Sequence, residues 1–317
     1  MNELKDLLKS GKAVIGTTAT PAVDVPTLAN SGFDFLLFDT QHSPFDVKQL
    51  IPSVQVMKGA KATPVIRVGQ NREDLILNAL DAGARGIIAP MVNTKEEAEY
   101  LVRSCRYYPL GTRSNAGVRG EWGDYSASTP RDSMTSEDYR NYLDMANEQL
   151  VIIPMIETNV AMNNIDDILS VDGIDVLLVG PSDLSIELEV AIDYPSDTYQ
   201  KGLDKIVAAC NKHGVVPGMY FIPPGMDPNF YVERDRIELG ANRDIKYPTD
   251  LDYCDDKSKK HSRHNIPIIK NCFKHDRISL IGTFCPPAFY KENDGNYKLK
   301  DYRIELPEGK TIWDELN

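Results

Sequence analysis

The sequence lacks the paired cysteines of a disulfide-built secreted protein. Its five cysteines, Cys105, Cys210, Cys254, Cys272 and Cys285, are odd in number and scattered, with no Cys-x-x-Cys among them. That usage reads as reduced and cytoplasmic. No apolar run comes near the roughly 20 residues that a membrane-spanning helix needs. The opening Met1-Asn2-Glu3-Leu4-Lys5-Asp6 has neither the basic start nor the apolar stretch of a signal peptide. Positive charge is in deficit: 35 Lys and Arg stand against 47 Asp and Glu, a net charge of −12. The expectation is a protein with neither a nucleic-acid nor a membrane partner. A glycine-rich phosphate loop is also missing, which argues against a doubly wound dinucleotide-binding sheet.

What is present is a rhythm. β-Branched, strand-like runs fall at 13–17, 34–38, 63–68, 86–90, 150–156, 174–179 and 215–221, with a weaker eighth at 243–247. Helix-like segments alternate with them at 21–30, 47–58, 72–81, 95–103, 160–170, 197–213 and 228–239. Seven or eight such units predict a (β/α)8 TIM barrel as a catalytic domain over residues 1–250. Two segments break the pattern. Residues 106–148 form a long polar insert carrying Arg106, Arg113 and Arg119, of the kind used for lids or subunit contacts. Residues 251–317 form a divergent C-terminal extension that opens on a charged run and reads as no further βα unit. Within it Cys254, His261, His264 and Cys272 could be drawn as a zinc site, but their spacing lacks the tight pairs such sites use.

Two of the strand-like runs end abruptly on a carboxylate, Ile153-Pro154-Met155-Ile156-Glu157 and Val179-Gly180-Pro181-Ser182-Asp183. In a barrel the C-terminal strand ends form the mouth where chemistry sits, so Glu157 and Asp183 become candidate ligands for a hard divalent cation. The second strand adds Asp39 and His42 to the same rim, and the third adds Arg67. Each has a plainer reading. Either carboxylate could cap the following helix, His42 could be a satisfied loop histidine, and Arg67 could pair with a neighbouring acid. Their joint placement at strand ends is what favours a site. No strong strand offers a lysine at its C-terminal end, so Schiff-base chemistry is disfavoured; Lys246, in the weak eighth run, is the exception.

In these residues the chain resembles the HpcH/HpaI aldolase family, metal-dependent pyruvate aldolases related to citrate lyase β-subunits and macrophomate synthase. The matching pieces are Gly32-Phe33-Asp34 through Asp39-Thr40-Gln41-His42, then Pro64-Val65-Ile66-Arg67-Val68 and Ala79-Leu80-Asp81-Ala82-Gly83-Ala84. Ile88-Ala89-Pro90-Met91-Val92, the Arg106–Arg113 run, Ile156-Glu157-Thr158 and Gly180-Pro181-Ser182-Asp183-Leu184-Ser185 follow in order.

The resemblance implies Mg²⁺, Mn²⁺ or Co²⁺ held by Glu157 and Asp183, and a 2-oxo acid, pyruvate, chelated to it. It implies Arg67 near the keto oxygen and the main chain of Gly180, Pro181, Ser182 and Asp183 around the substrate carboxylate. His42, oriented by Asp39, would be the general acid or base. Asp81 would support a site across a subunit boundary in a homo-oligomer, a dimer, trimer or hexamer. Three departures stand out. Gln41 replaces a Glu found in many relatives, Met155 replaces a Gln that contacts substrate, and the C-terminal region is unfamiliar.

The expected activity is cleavage or formation of 4-hydroxy-2-oxo acids from pyruvate and an aldehyde. The alternatives are oxaloacetate decarboxylation or a macrophomate-synthase-like condensation, and a non-catalytic barrel that serves assembly or partner binding.

Overall fold

The computed structural model describes residues 2–10, 14–21, 24–30, 33–115, 134–194 and 196–220, with short strands at 236–239, 289–291 and 297–299. The strand-like runs become β1 (Val14–Ala19), β2 (Phe35–Asp39), β3 (Thr63–Arg67), β4 (Gly86–Ala89), β5 (Val151–Ile156), β6 (Val176–Val179) and β7 (Val216–Tyr220). They lie side by side in chain order, all parallel, in one curled sheet. Every residue of β3, β4, β5 and β6 is buried. That follows from covering a parallel sheet on both faces, and it explains why these runs are apolar throughout rather than alternating.

The connecting helices are α1 (Glu3–Lys9), α2 (Val25–Ala29), α3 (Val47–Gln55), α4 (Glu73–Ala82), α5 (Lys95–Cys105), α6 (Ser136–Gln149), α7 (Asn159–Asn163), α8 (Ile165–Leu169), α9 (Pro181–Glu187) and α10 (Asp197–His213). Local chemistry sets their starts. Asp46 with Gln49, and Thr94 with Glu97, form reciprocal capping boxes that satisfy orphan N–H groups at the heads of α3 and α5. α4 stops at Gly83, whose φ of 113° is open to glycine but strained for other residues.

The last strand differs from expectation. β8 (Arg236–Leu239) pairs antiparallel with both β1 and β7 and so joins the two edges of the sheet. Its four residues fall inside the segment read as a helix over 228–239, and a parallel eighth strand at 243–247 lies outside the described residues. The i, i+2 spacing of Ile237 and Leu239 is that of a strand, but four residues are too few for periodicity to outweigh the longer helix-like segment around them. The 106–148 insert is also less uniform than it read. Its last part is α6, opened by a Thr135–Asp138 capping box and packed through buried Tyr142 and Ala146. Residues 116–133 lie outside the described part, as does the tail except β9 (Phe289–Lys291) and β10 (Tyr297–Leu299), an antiparallel pair. The cysteines and histidines of the zinc reading lie outside it too.

The opposite end of the sheet is sealed by α1. The Asn2 amide donates to the carbonyl of Arg85 at 2.9 Å, and Lys5 Nζ donates to that of Leu150 at 2.6 Å and pairs with Asp175 at 3.1 Å. With its strands' N-terminal ends covered, the sheet opens at their C-terminal ends, where the carboxylates lie.

Candidate active site

β2 and β3 pair with Asp39 directly opposite Arg67. The pairing places an acid beside a guanidinium at the mouth, and the two form a bidentate ion pair. Arg67 Nε donates to Asp39 Oδ1 at 2.8 Å, and Arg67 Nη2 to Oδ2 at 2.5 Å. Asp39 also accepts the main-chain N–H of Gln41 at 2.9 Å and of His42 at 3.3 Å. Burial alone would raise the Asp39 carboxyl, but the hydrogen bonds and charge of Arg67, helped by these two N–H groups, hold it below the usual aspartate range.

Asp39 is thus engaged by Arg67, and its bond to His42 is to the main chain; the His42 side chain is exposed on the loop after β2.

The two candidate ligands occupy unlike environments. Glu157, one residue past β5, is 1 % exposed, whereas Asp183, in the first turn of α9, is exposed. Glu157 Oε2 accepts the N–H of Met91 at 2.8 Å. Met91 follows β4 with a φ of 55°, an uncommon conformation for a residue with a side chain, and it marks strain at the mouth. On its other side Glu157 lies against Gly180, where a Cβ would come 2.5 Å from Oε1 and 2.6 Å from Cγ. Glycine at 180 is therefore required by the carboxylate itself. Burial is the main cause that pushes the Glu157 carboxyl above the usual glutamate range. The Met91 N–H opposes it, the negative charge of Asp183 adds to it, and the positive charge of Arg67 opposes it.

Of the segment expected around a substrate carboxylate, Gly180 donates its N–H to the carbonyl of Ile156 at 3.2 Å, and Pro181 has none. The N–H groups of Ser182 and Asp183 are left as the donors of that first turn. Met155 is buried at the end of β5, two residues from Glu157 on the same strand face.

Asp81 stands apart from the others. α4 runs back from the mouth, so its C-terminal end lies at the sealed end of the sheet, and there Asp81 pairs with buried Arg113 at 3.0 Å. Arg113 in turn stacks over the Tyr107 ring at 4.5 Å. Asp81 does not belong to the mouth of its own chain. Arg106 sits at the same end, reaching the carbonyl of Gly173.

Among the described residues no group of three or more His, Cys, Asp or Glu side chains gathers as a metal site. A pair of carboxylates nevertheless suffices for Mg²⁺ or Mn²⁺, which keep several water ligands and use one or two carboxylates. The close approach of Glu157 to a bare glycine Cα, and the mutual repulsion of Glu157 and Asp183, fit such an ion. Neither the Met91 conformation nor its bond to Glu157 was legible in the sequence, because nothing in the residue type announces a positive φ.

A family model described as HpcH/HpaI aldolase/citrate lyase matches residues 18–224. The chain is 32 % identical over 234 residues to a 2-keto-3-deoxy-L-rhamnonate aldolase from Salmonella schwarzengrund (strain CVM19633), covering 71 % of this chain and 81 % of the relative. A solved HpcH/HpaI aldolase from Desulfitobacterium hafniense DCB-2 is 27 % identical with a TM-score of 0.63, over 74 % of this chain and 88 % of that one. Macrophomate synthase is 25 % identical with a TM-score of 0.57, over 68 % of this chain and 74 % of that one.

Proposed function

The chain belongs to the HpcH/HpaI aldolase/citrate lyase family, and from that premise we propose that it is a divalent-metal-dependent aldolase that cleaves and forms 4-hydroxy-2-oxo acids from pyruvate and an aldehyde. The observation that carries the reading is the buried Glu157 carboxylate, packed on Gly180 and facing the charge of Asp183. Glu157 and Asp183 would hold Mg²⁺, Mn²⁺ or Co²⁺. When bound, the ion supplies the Lewis acidity that makes a methyl proton next to a ketone removable.

The chain's own residues supply the rest. Asp39 clamps Arg67 through both oxygens, so the guanidinium is held at the rim without reorganising, where negative charge on the keto oxygen would develop. Its field already reaches Glu157. The N–H groups of Ser182 and Asp183 face the substrate carboxylate, with Gly180 and Pro181 shaping the turn. His42, held at its main chain by Asp39, moves the proton at the reacting carbon or at the aldehyde oxygen. Asp81, at the far end of its own sheet, serves this chemistry only in a neighbouring copy, which makes a homo-oligomer part of the proposal. Residues 1–250 would form the catalytic (β/α)8-type barrel, with 251–317 appended, in a cytoplasmic protein.

The test is cleavage of a 2-oxo-3-deoxy sugar acid after exhaustive EDTA treatment and after restoring Mg²⁺ or Mn²⁺. Activity should vanish and return, and Glu157→Gln or Asp183→Asn should prevent the return. Undiminished cleavage in the chelated protein would reject the reading. The likeness to macrophomate synthase, together with Met155 beside Glu157, supports a second reading, oxaloacetate decarboxylation or biosynthetic condensation. Faster turnover of oxaloacetate than of any 4-hydroxy-2-oxo acid would favour it.

A further inference from the structure

Gln41 and Met91 each serve two surfaces. Their N–H groups bind the site carboxylates, Gln41 to Asp39 at 2.9 Å and Met91 to Glu157 at 2.8 Å. Both residues also wall an open cavity of about 690 Å³ on the rim, whose lining includes Asn71 of the β3–α4 loop and Tyr100 of α5. The cavity is in the size range of small-molecule sites and several times larger than pyruvate needs. Neither Glu157 nor Asp183 lines it, but two of its lining residues touch the candidate site through their main chains, Met91 at Glu157 and Gln41 at Asp39.

Two carbonyl oxygens in this wall, Gln41 Oε1 and Asn71 Oδ1, are buried without a hydrogen-bond partner. Asn71 is anchored by its amide nitrogen, which donates to the Glu97 carbonyl at 2.9 Å, so its oxygen is the group left over. A buried acceptor without a donor costs stability, and such a cost is commonly kept where a ligand relieves it. Both oxygens are buried as they stand; the broad terminal torsion of Gln lets Gln41 Oε1 turn into the cavity without moving the main chain, while Asn71 Oδ1 reaches it by a rotation that exchanges the bond to Glu97 for bonds to the ligand. Hydroxyl groups are the donors that an aldehyde can bring.

Resting on the aldolase reading above, we propose that this cavity is the aldehyde subsite and that Gln41 and Asn71 select hydroxylated aldehydes through their amide oxygens. Carbon–carbon bond formation itself is unchanged; the two residues act by positioning the acceptor chain next to the pyruvate-derived carbon.

The experiment compares glyceraldehyde with propanal, of equal chain length, as acceptors for pyruvate in the Mn²⁺-loaded full chain. In Gln41→Met and Asn71→Leu, the ratio of kcat/KM for glyceraldehyde over propanal should fall about tenfold, through KM, as expected for the loss of one hydrogen bond. An unchanged ratio overturns the proposal, and so does an equal loss on both aldehydes, the result of a merely structural role. Exchange of the pyruvate methyl protons in the wild-type samples separates loss of the subsite from loss of the aldolase chemistry. Exchange with an unchanged ratio rejects the subsite alone, and absence of exchange rejects the aldolase reading and the subsite with it.

Discussion

At Gly180 a single hydrogen atom lets the Glu157 carboxylate keep its place. Gly180→Ala would drive a methyl into Glu157, with the nearest contact at 2.5 Å. Because the affected atoms are the proposed ligand itself, Mn²⁺ affinity measured by calorimetry should drop roughly 10- to 100-fold while the protein stays folded, the range typical of misplaced ligand support. The Asp39–Arg67 pair makes a second residue-scale prediction. Asp39 has its carboxyl held below the ordinary value of 3.8. Its ionised form therefore contributes stability that is complete above about pH 4 and is lost as pH falls through the lower, folded value. Denaturant titrations of wild type between pH 5 and pH 2.5 should show that loss, and Asp39→Ala should be flatter across the window. At pH 7 the same variant should be less stable by about 3 kcal/mol, since it removes both carboxylate bonds from a buried guanidinium. These side chains were legible in the sequence because each closes an apolar run. Asp39's real partner was not legible, since only the β2–β3 register sets the acid opposite Arg67.

The elements carry the same lesson in a different form. Long apolar runs and their helices matched expectation closely, and α10 spans the predicted 197–213. Buried parallel strands advertise themselves by composition, and capped helices by their first turn. Asp46 illustrates the second: its side chain accepts the Gln49 N–H at 3.0 Å at the head of α3, just after the His42 loop. Asp46→Ala should cost about 1 kcal/mol of stability by chemical denaturation. A loss well under half of that would mean the box is dispensable. β8 shows the limit. Four residues carry too little pattern to declare a direction, and their antiparallel pairing is decided by the free edges of β1 and β7. α6 was hidden for another reason: its exposed face is rich in charge, and that polarity read as an insert.

At the scale of the whole molecule, the sheet is sealed at one end by α1 and open at the other, and the proposed chemistry sits at the open end. If an ion joins Glu157 and Asp183 only in the folded chain, loading should stabilise it by mass action. At about 100 times Kd the gain should be about 2.7 kcal/mol, a rise of several degrees in Tm by calorimetry, absent in Glu157→Gln. No shift in the wild-type protein at saturating Mn²⁺ would count against the site. The same global view explains Asp81, which the chain resemblance ties to the reaction and the topology sets at the sealed end beside Arg113. Deuterium exchange into the pyruvate methyl group, followed by NMR in EDTA-treated protein with and without Mg²⁺ or Mn²⁺, reports the metal-dependent proton removal itself. Exchange should appear only with metal and be lost in Glu157→Gln. Exchange that persists without metal, or none in the folded, metal-loaded protein, would contradict the metal-dependent aldolase reading.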